Sequence, residues 1–289
     1  MKLNRYQQAE AFYDRVNHYL LSHEAENNLL LRIARSLVRT PDQMNDRVYL
    51  ATVEREQPEA KQPEAEQPIV AVAIHTPPYP LCLSKVSDFR AIELIAQDVV
   101  QIAPTRVGGL PEETIVFTQC WQDLTGQSYR LNRQSLIYQL QQVQRSPAAP
   151  GNLRLATAAD QSLLLQWMTA FEAEALGINE SSVAARVDQR LSQQALYLWE
   201  NGEPVCLVGG NGLPDEAATI APVYTPPEQR KRGYATTAVA SLSQALLDRG
   251  CPCCLLFADS KNPTANHVYQ SIGYQQICEW HEYGLGNSN

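Results

Sequence analysis

Between residues 6 and 39 the apolar positions Ala9, Phe12, Tyr13, Val16, Tyr19 and Leu20 recur at helical spacing, which predicts two consecutive helices. Val48 to Val53 and Ile69 to Ile74 are β-branched, apolar runs that read as strands. The polar, proline-bearing repeat between them, residues 54 to 68, cannot form a core and reads as a solvated loop. Asp88 to Gln101 predicts a helix with Phe89, Ile92, Ile95, Ala96 and Val99 inward. Gly108-Gly109-Leu110-Pro111 reads as a turn, Glu112 to Leu124 as a further helix, and Tyr129 to Val143 is ambiguous with strand-like pieces.

Ser146 to Asn152 carries two prolines and a glycine and reads as a linker. It divides the chain into domains at 1–146 and 152–289. Past it, Leu153 to Ala156 predicts a short strand, and Thr157 to Asp160 has the form of a capping box. Leu163, Leu164, Trp167, Met168 and Phe171 mark an amphipathic helix, and Ser182 to Ser192 a second one. Asn201-Gly202 joins two strands, 195–200 and 205–208, as a hairpin. Ala217 to Tyr224 is an apolar strand, Gly233 to Arg249 a helix ended by Gly250, and Cys253 to Ala258 a strand. Pro263 to Ile272 is a helix ended by Gly273, and Tyr274 to Tyr283 a last strand. Ala73 to Pro78 echoes Pro222 to Pro227, each a strand end followed by Thr-Pro-Pro. This suggests that the first half is a degenerate copy of the second, without a glycine-bearing loop and so without a phosphate site.

The 289 residues suit two domains, each able to bury its own core. Hydrophobic residues at 44% are ordinary for a globular protein. A net charge of −8 argues against general nucleic-acid binding. Residues 1 to 21 lack an unbroken apolar core, and no apolar run is long enough to span a bilayer; the expectation is a cytoplasmic protein. The seven cysteines are scattered and form no disulfide framework. Cys251 and Cys254 form a C-x-x-C without a second ligand pair, which argues against zinc; the apolar run after it points to a buried strand, with a redox role as the alternative. No metal site is expected.

The segment Gln229 to Thr236 lies between a predicted strand and helix. Gly233 and Ala235 are small, so backbone can approach a ligand closely. The first turn of a helix offers unpaired N–H groups and the positive end of the macrodipole, and together these make a pyrophosphate cradle. Arg230, Lys231 and Arg232 add positive charge. The alternative is an ordinary surface turn with solvated charges.

This region resembles the GNAT acyl-CoA N-acyltransferase superfamily. The family's Q/R-x-x-G-x-G/A is met by Arg230, Gly233 and Ala235. Its later Asn, Tyr and Gly-aromatic are met by Asn262, Tyr269 and Gly273-Tyr274. The resemblance covers residues 152 to 284. It implies an α/β (α+β) fold with a mixed, mostly antiparallel central sheet flanked by helices, in two related domains in tandem. It also implies acetyl-CoA as co-substrate, held on the amides of Lys231, Arg232, Gly233, Tyr234, Ala235 and Thr236 beside Arg230. Val223, Tyr224 and Thr225 would border the pantetheine arm, Val223 and Thr225 as backbone partners. Asn262 and Asn266 would bond the cofactor. Tyr269 would be the general acid for the departing thiolate, because a phenol near pKa 10 is a sensible donor to it. The partner is then a small-molecule or peptide amine, with no nucleic acid and no membrane, and a homodimer is compatible. Glu172, Glu174, Asp215, Glu216 and Asp259 are candidate bases by position, with a water relay as the alternative; His267 and His281 read as structural or exposed. A non-catalytic acyl-CoA-binding sensor, with the first half as interaction module, is the competing reading; a longer acyl group is a third. Asn179-Glu180-Ser181 fits a glycosylation sequon, without a secretory signal to support its use.

Overall fold

The computed structural model describes residues 1–41, 44–56, 68–144, 149–176 and 183–286. The proline-bearing repeat (57–67), the first three residues of the expected linker (146–148) and the sequon lie outside the described residues. Two compact units emerge: Met1–Ser135 with Cys278–Asn289, and Leu136–Ile277. These bounds differ from 1–146 and 152–289, because two long strands change unit along their length.

The first unit contains β1 (Lys2–Tyr6), α1 (Ala9–Leu21), α2 (Glu24–Arg39), β2 (Tyr49–Glu54), β3 (Ile69–His75), β4 (Leu81–Leu83), α3 (Arg90–Asp98), β5 (Arg106–Gly109), α4 (Pro111–Thr125) and the first part of β6 (Tyr129–Leu140). The second carries the end of β6, then β7 (Asn152–Leu155), α5 (Gln161–Phe171), α6 (Val183–Ser192), β8 (Leu196–Asn201), β9 (Glu203–Asn211), β10 (Ala218–Tyr224), α7 (Tyr234–Asp248), β11 (Cys254–Asp259), α8 (Pro263–Ile272) and the start of β12 (Gln275–Leu285). The ten elements from β1 to β6 repeat in the same order from β7 to β12.

In the first unit the strand order is β1-β2-β3-β4-β5-β12-β6. Most pairs are antiparallel; β4 and β5 run parallel, with Leu81 opposite Val107. β12 enters by pairing His281 with Gly109 and Tyr283 with Val107. Every residue of β2 and β3 is buried. Successive strand side chains point to opposite faces, so helices must cover both faces here. The second unit has the order β6-β11-β10-β9-β8-β7, with β10 and β11 parallel and β7 to β10 antiparallel. Each run of ten elements therefore sends its last strand beside the fifth strand of the other run.

Three local expectations differ. β1 and β4 are strands too short to show a hydrophobic period. Gly108 and Gly109 lie in β5, not in a turn; at Gly108 a Cβ would lie 3.0 Å from the Trp280 ring, so the sequence uses glycine for close packing. The Thr-Pro-Pro echo is not positional, because Thr76 follows the third strand of its run and Thr225 the fourth. Among the described residues no helix is long and apolar enough to cross a membrane, and no group of His, Cys, Asp and Glu could hold a metal ion.

Candidate active site

The second unit has two cores, one on each face of its sheet. Leu196 and Leu198 of β8 and Leu207 of β9 join Trp167 of α5 and Val187 of α6. Tyr197, Trp199, Cys206 and Val208 face the other way, against Leu242 of α7 and Tyr269 of α8. This alternation is the two-residue period of a strand. On β10 the period breaks: Ala218 and Ile220 lie in the α7–α8 core, but Tyr224 lies in the α5–α6 core. The register shift between Ile220 and Val223 accounts for the change of face. A Cβ at Gly209 would lie 2.4 Å from the Ala221 carbonyl oxygen, so glycine lets β9 approach the bulge.

The bulge coincides with the end of a ladder. β10 pairs with β11 at Ala218–Cys254 and Thr219–Leu255 only. Beyond Thr219, the β11-facing edge of β10 has no strand partner among the described residues. A short 3₁₀ turn, Pro227–Gln229, then leads to α7. Lys231 (φ 63°) and Gly233 (φ 79°) are left-handed, and Gly233 is the N-cap of α7 without any side-chain cap. The amides of Tyr234, Ala235 and Thr236 are first-turn groups with no intrahelical acceptor. The loop and the unpaired edge of β10 thus meet at the positive end of a helix, where backbone donors favour an anion.

The side chains expected here divide into two sets. Arg230 is turned back onto its own loop: Nε donates to the Thr225 carbonyl at 2.9 Å, and the guanidinium pairs with Glu174 at 2.7 Å and lies 5.9 Å from the Tyr224 ring. Tyr234 is buried, its hydroxyl accepting from Asn201 Nδ2. Tyr224 packs its ring 6.2 Å from Trp167. Val223 is half-buried against the α7–α8 core. Arg230, Tyr224 and Tyr234 therefore shape the site with their side chains, while the amides of 231–236 line it.

On α8, Asn262 is the N-cap, its Oδ1 accepting the Ala265 N–H at 3.0 Å. Asn266 Nδ2 donates to the Asp259 carbonyl at 3.1 Å, and its Oδ1 is buried without a donor. Gln229 Oε1, in the loop after β10, is likewise buried and without a donor. Tyr269 lies one turn past Asn266 with 9% of its surface exposed. Its ring contacts those of Tyr138 (6.2 Å between centroids) and Tyr274 (6.0 Å). Among the described residues its hydroxyl has no hydrogen-bond partner. Burial, and then the nearby Cys206 thiol, push it up to about 12. It is a neutral phenol, holding its proton, at every ordinary pH.

Of the candidate bases, Glu172 is buried and held by Arg186, with Nε at 3.0 Å, and Glu174 by Arg230. Asp259 accepts the Lys261 N–H. Sequence reasoning missed Cys206, whose Sγ accepts from the Thr225 hydroxyl at 3.3 Å and lies beside Tyr269; it also missed Tyr138. Nothing local marks these residues, since each reaches the site by tertiary packing. The C-x-x-C is buried and its cysteines are free, and Cys254 opens β11 with its thiol pushed up to about 12 by burial.

The equivalent stretch of the first unit is filled. After β4, the Lys85 N–H donates to Asn27 Oδ1 at 2.9 Å and the Val86 N–H to Glu113 Oε1 at 3.1 Å. At the start of α3, the Asp88 carboxylate accepts the Arg90 N–H at 3.2 Å and both Arg90 side-chain donors. A carboxylate of the chain itself stands where the second unit leaves amides free.

Residues 162–274 match the family model described as acetyltransferase (GNAT) family. No curated protein matches the chain. Among solved structures, a GNAT-family acetyltransferase from Colwellia psychrerythraea is similar over 99% of this chain and 100% of its own, at 12% identity and TM-score 0.60. A Drosophila protein is similar over 98% of each chain, at 12% identity and TM-score 0.63. A GCN5-related N-acetyltransferase from Sphaerobacter thermophilus is similar over 86% of this chain and 84% of its own, at 15% identity and TM-score 0.56. These likenesses are of fold, and they extend across both units.

Proposed function

Given that residues 162–274 form a domain of the acetyltransferase (GNAT) family, we propose that this chain moves an acetyl group from acetyl-CoA to an amine, by direct attack in a ternary complex. Bound acetyl-CoA would supply an acetyl group already activated as a thioester. The amides of Lys231 to Thr236 offer donors for its pyrophosphate, and the unpaired edge of β10 at Val223 to Thr225 offers backbone groups for the pantetheine arm. The buried, donor-less Oδ1 of Asn266 and Oε1 of Gln229 fit a ligand that carries N–H groups. Asn262 offers its amide nitrogen, its Oδ1 being spent on the helix cap.

Tyr269 holds the proton for the sulfur. The new C–N bond would form as the C–S bond breaks, the phenol would give its proton to the leaving thiolate, and the proton lost by the attacking nitrogen would pass, through water, back to the Tyr269 phenolate. The observation that carries this reading is Tyr269: a largely buried ring on α8 whose neutral hydroxyl, among the described residues, has no protein partner. A group so placed has its hydrogen bond reserved for something that enters the site. No covalent nucleophile is needed, because holding amine and thioester together supplies much of the rate.

The two runs of ten elements are, in this reading, copies of one fold, of which only the second keeps its cofactor slot. The chain acts in the cytoplasm. The test is thermal unfolding of the full chain with and without acetyl-CoA, beside Gly233→Glu. Ligand at about 100 times its dissociation constant stabilises by about 2.7 kcal/mol. That is a rise of roughly 5–11 °C for a chain of this class. The rise is expected in the wild type and lost in Gly233→Glu, which puts a side chain and a negative charge at the cradle. No rise in folded wild type overturns both the transferase and the acyl-CoA sensor.

A further inference from the structure

Tyr269 is aimed without a hydrogen bond. Its ring lies against two others, and these differ in origin. Tyr274 follows α8 directly and is anchored by a 2.7 Å bond between its hydroxyl and Ser243 Oγ. Tyr138 is supplied by β6, the last strand of the first run of elements, and is fully buried in the second unit. The rings of Tyr138 and Tyr269 are tilted at 49° with centroids 6.2 Å apart.

The rest of this segment holds α8 as well. Gln139 Nε2 donates to Cys253 Sγ at 3.3 Å, pinning the end of β6 beside the start of β11. The Gln144 N–H donates to the Ile272 carbonyl at 2.8 Å, in the last turn of α8. A Cβ on Gly273 would lie 3.1 Å from the Gln142 carbonyl oxygen, so the segment presses closely on the cap of α8. The Tyr138 hydroxyl adds only a long contact, 3.5 Å from Gln270 Nε2. Its ring, not its hydroxyl, is therefore the working part.

We propose that Tyr138 is a positioning residue for the reaction: its ring, carried on the strand contributed by the first half of the chain, fixes the direction of the Tyr269 hydroxyl. This rests on the reading of Tyr269 as proton donor. It gives the first half a part in catalysis although its own slot is filled. Losing one of the two contacting rings lets the phenol swing, and a misplacement of a reacting group by about 1 Å costs about 10²-fold in rate.

The experiment uses the full chain with acetyl-CoA, n-butylamine as acceptor probe, and the Tyr138→Leu and Tyr138→Phe variants. Tyr138→Leu is expected to lower kcat by roughly 10- to 100-fold with KM for acetyl-CoA unchanged. Tyr138→Phe, which keeps the ring, restores turnover. In a Tyr269→Phe background, Tyr138→Leu costs nothing further, because the group it positions is gone. Equal losses in both backgrounds, or full turnover in Tyr138→Leu, overturn the proposal. A readout independent of any acceptor is ring flipping of Tyr269, followed by the line shape of its ¹³Cε resonances and assigned from the Tyr269→Phe spectrum. Flipping at least tenfold faster in Tyr138→Leu, and unchanged in Tyr138→Phe, supports the proposal; unchanged flipping in Tyr138→Leu overturns it. Full turnover in Tyr269→Phe would sink the donor reading instead, and the flipping result would still report whether Tyr138 holds the ring.

Discussion

The Glu113 carboxylate accepts the Val86 amide at 3.1 Å, closing in the first unit the strand edge that the second leaves open at Val223 to Thr225. Asn27 takes the neighbouring amide and Asp88 occupies the helix start. A ligand would have to displace side chains from several backbone amides in the first unit, and in the second the Arg230 guanidinium from the Thr225 carbonyl. Isothermal titration with acetyl-CoA is therefore expected to give one site per chain. Gly233→Glu should abolish binding entirely, rather than halve the stoichiometry. Two sites would show that the filled slot opens.

Tyr269→Phe keeps the ring against Tyr138 and Tyr274 and removes the proton. General acid catalysis is worth about 10²- to 10⁴-fold. Turnover should fall within that range, with the dissociation constant for CoA unchanged in the same titration. A variant that binds CoA normally and retains its turnover would assign the proton to another group.

Asp160 supports the start of the second unit. Its carboxylate accepts from Arg154 at 2.8 and 2.9 Å and from the Thr157 N–H at 2.8 Å, completing the capping box before α5; Arg154 also pairs with Glu200. The Arg154 hydrogen bonds, with the Thr157 amide, hold this carboxyl down at about 2 against an ordinary 3.8. Between these values the unfolded chain binds the proton and the folded one does not, so stability rises with pH across the window. The contribution is complete above about pH 4 and lost as pH falls through about 2. Denaturant melts from pH 2 to 5 should show a shallower slope in Asp160→Asn; an identical slope would remove Asp160 from the acid response.

Ser243 and Tyr274 share a buried hydrogen bond of 2.7 Å between α7 and the residue that follows the Gly273 cap of α8. Tyr274→Phe leaves the fully buried Ser243 hydroxyl without this partner, which costs about 1–3 kcal/mol. The midpoint of thermal unfolding should drop by roughly 2–12 °C. Tyr274→Phe with Ser243→Ala should recover part of the loss, since neither orphan then remains; a larger loss in the double variant would contradict this account.

Cys206 and Cys254 are buried and their thiols are pushed up to about 12, chiefly by burial. A thiol in that state is almost wholly unionised near neutrality and is a poor nucleophile. Iodoacetamide at pH 8 should leave both unmodified in the native chain and label both after denaturation, as read by peptide mass spectrometry. Native labelling of Cys254 would revive a redox role for the C-x-x-C.

Much of the secondary structure was legible because its causes are local. Helical spacing marked α1, α5 and α7, Asn201-Gly202 marked the β8–β9 turn, and Gly250 and Gly273 stand at positive φ just past α7 and α8. The loop from Arg230 to Thr236 was legible for the same reason, since a left-handed Gly233 at a strand-to-helix turn is a local requirement. The roles of the side chains were not. Arg230 folds onto Thr225 and Glu174, and Asn262 caps its own helix; such bonds depend on what the fold brings near.

The sequence by itself determined two sets of helices and strands, a glycine turn at a strand-to-helix junction, and a tyrosine on the helix beyond it. Only the tertiary structure decided that β6 and β12 end beside the strands of the other run, that Tyr138 flanks Tyr269, and that Asn27 and Glu113 fill the first slot. The physical reason is range. Hydrophobic periods and turn residues act over a few positions, whereas strand exchange and slot filling pair groups far apart in the chain, whose meeting is settled by burial and hydrogen-bond satisfaction across the whole fold.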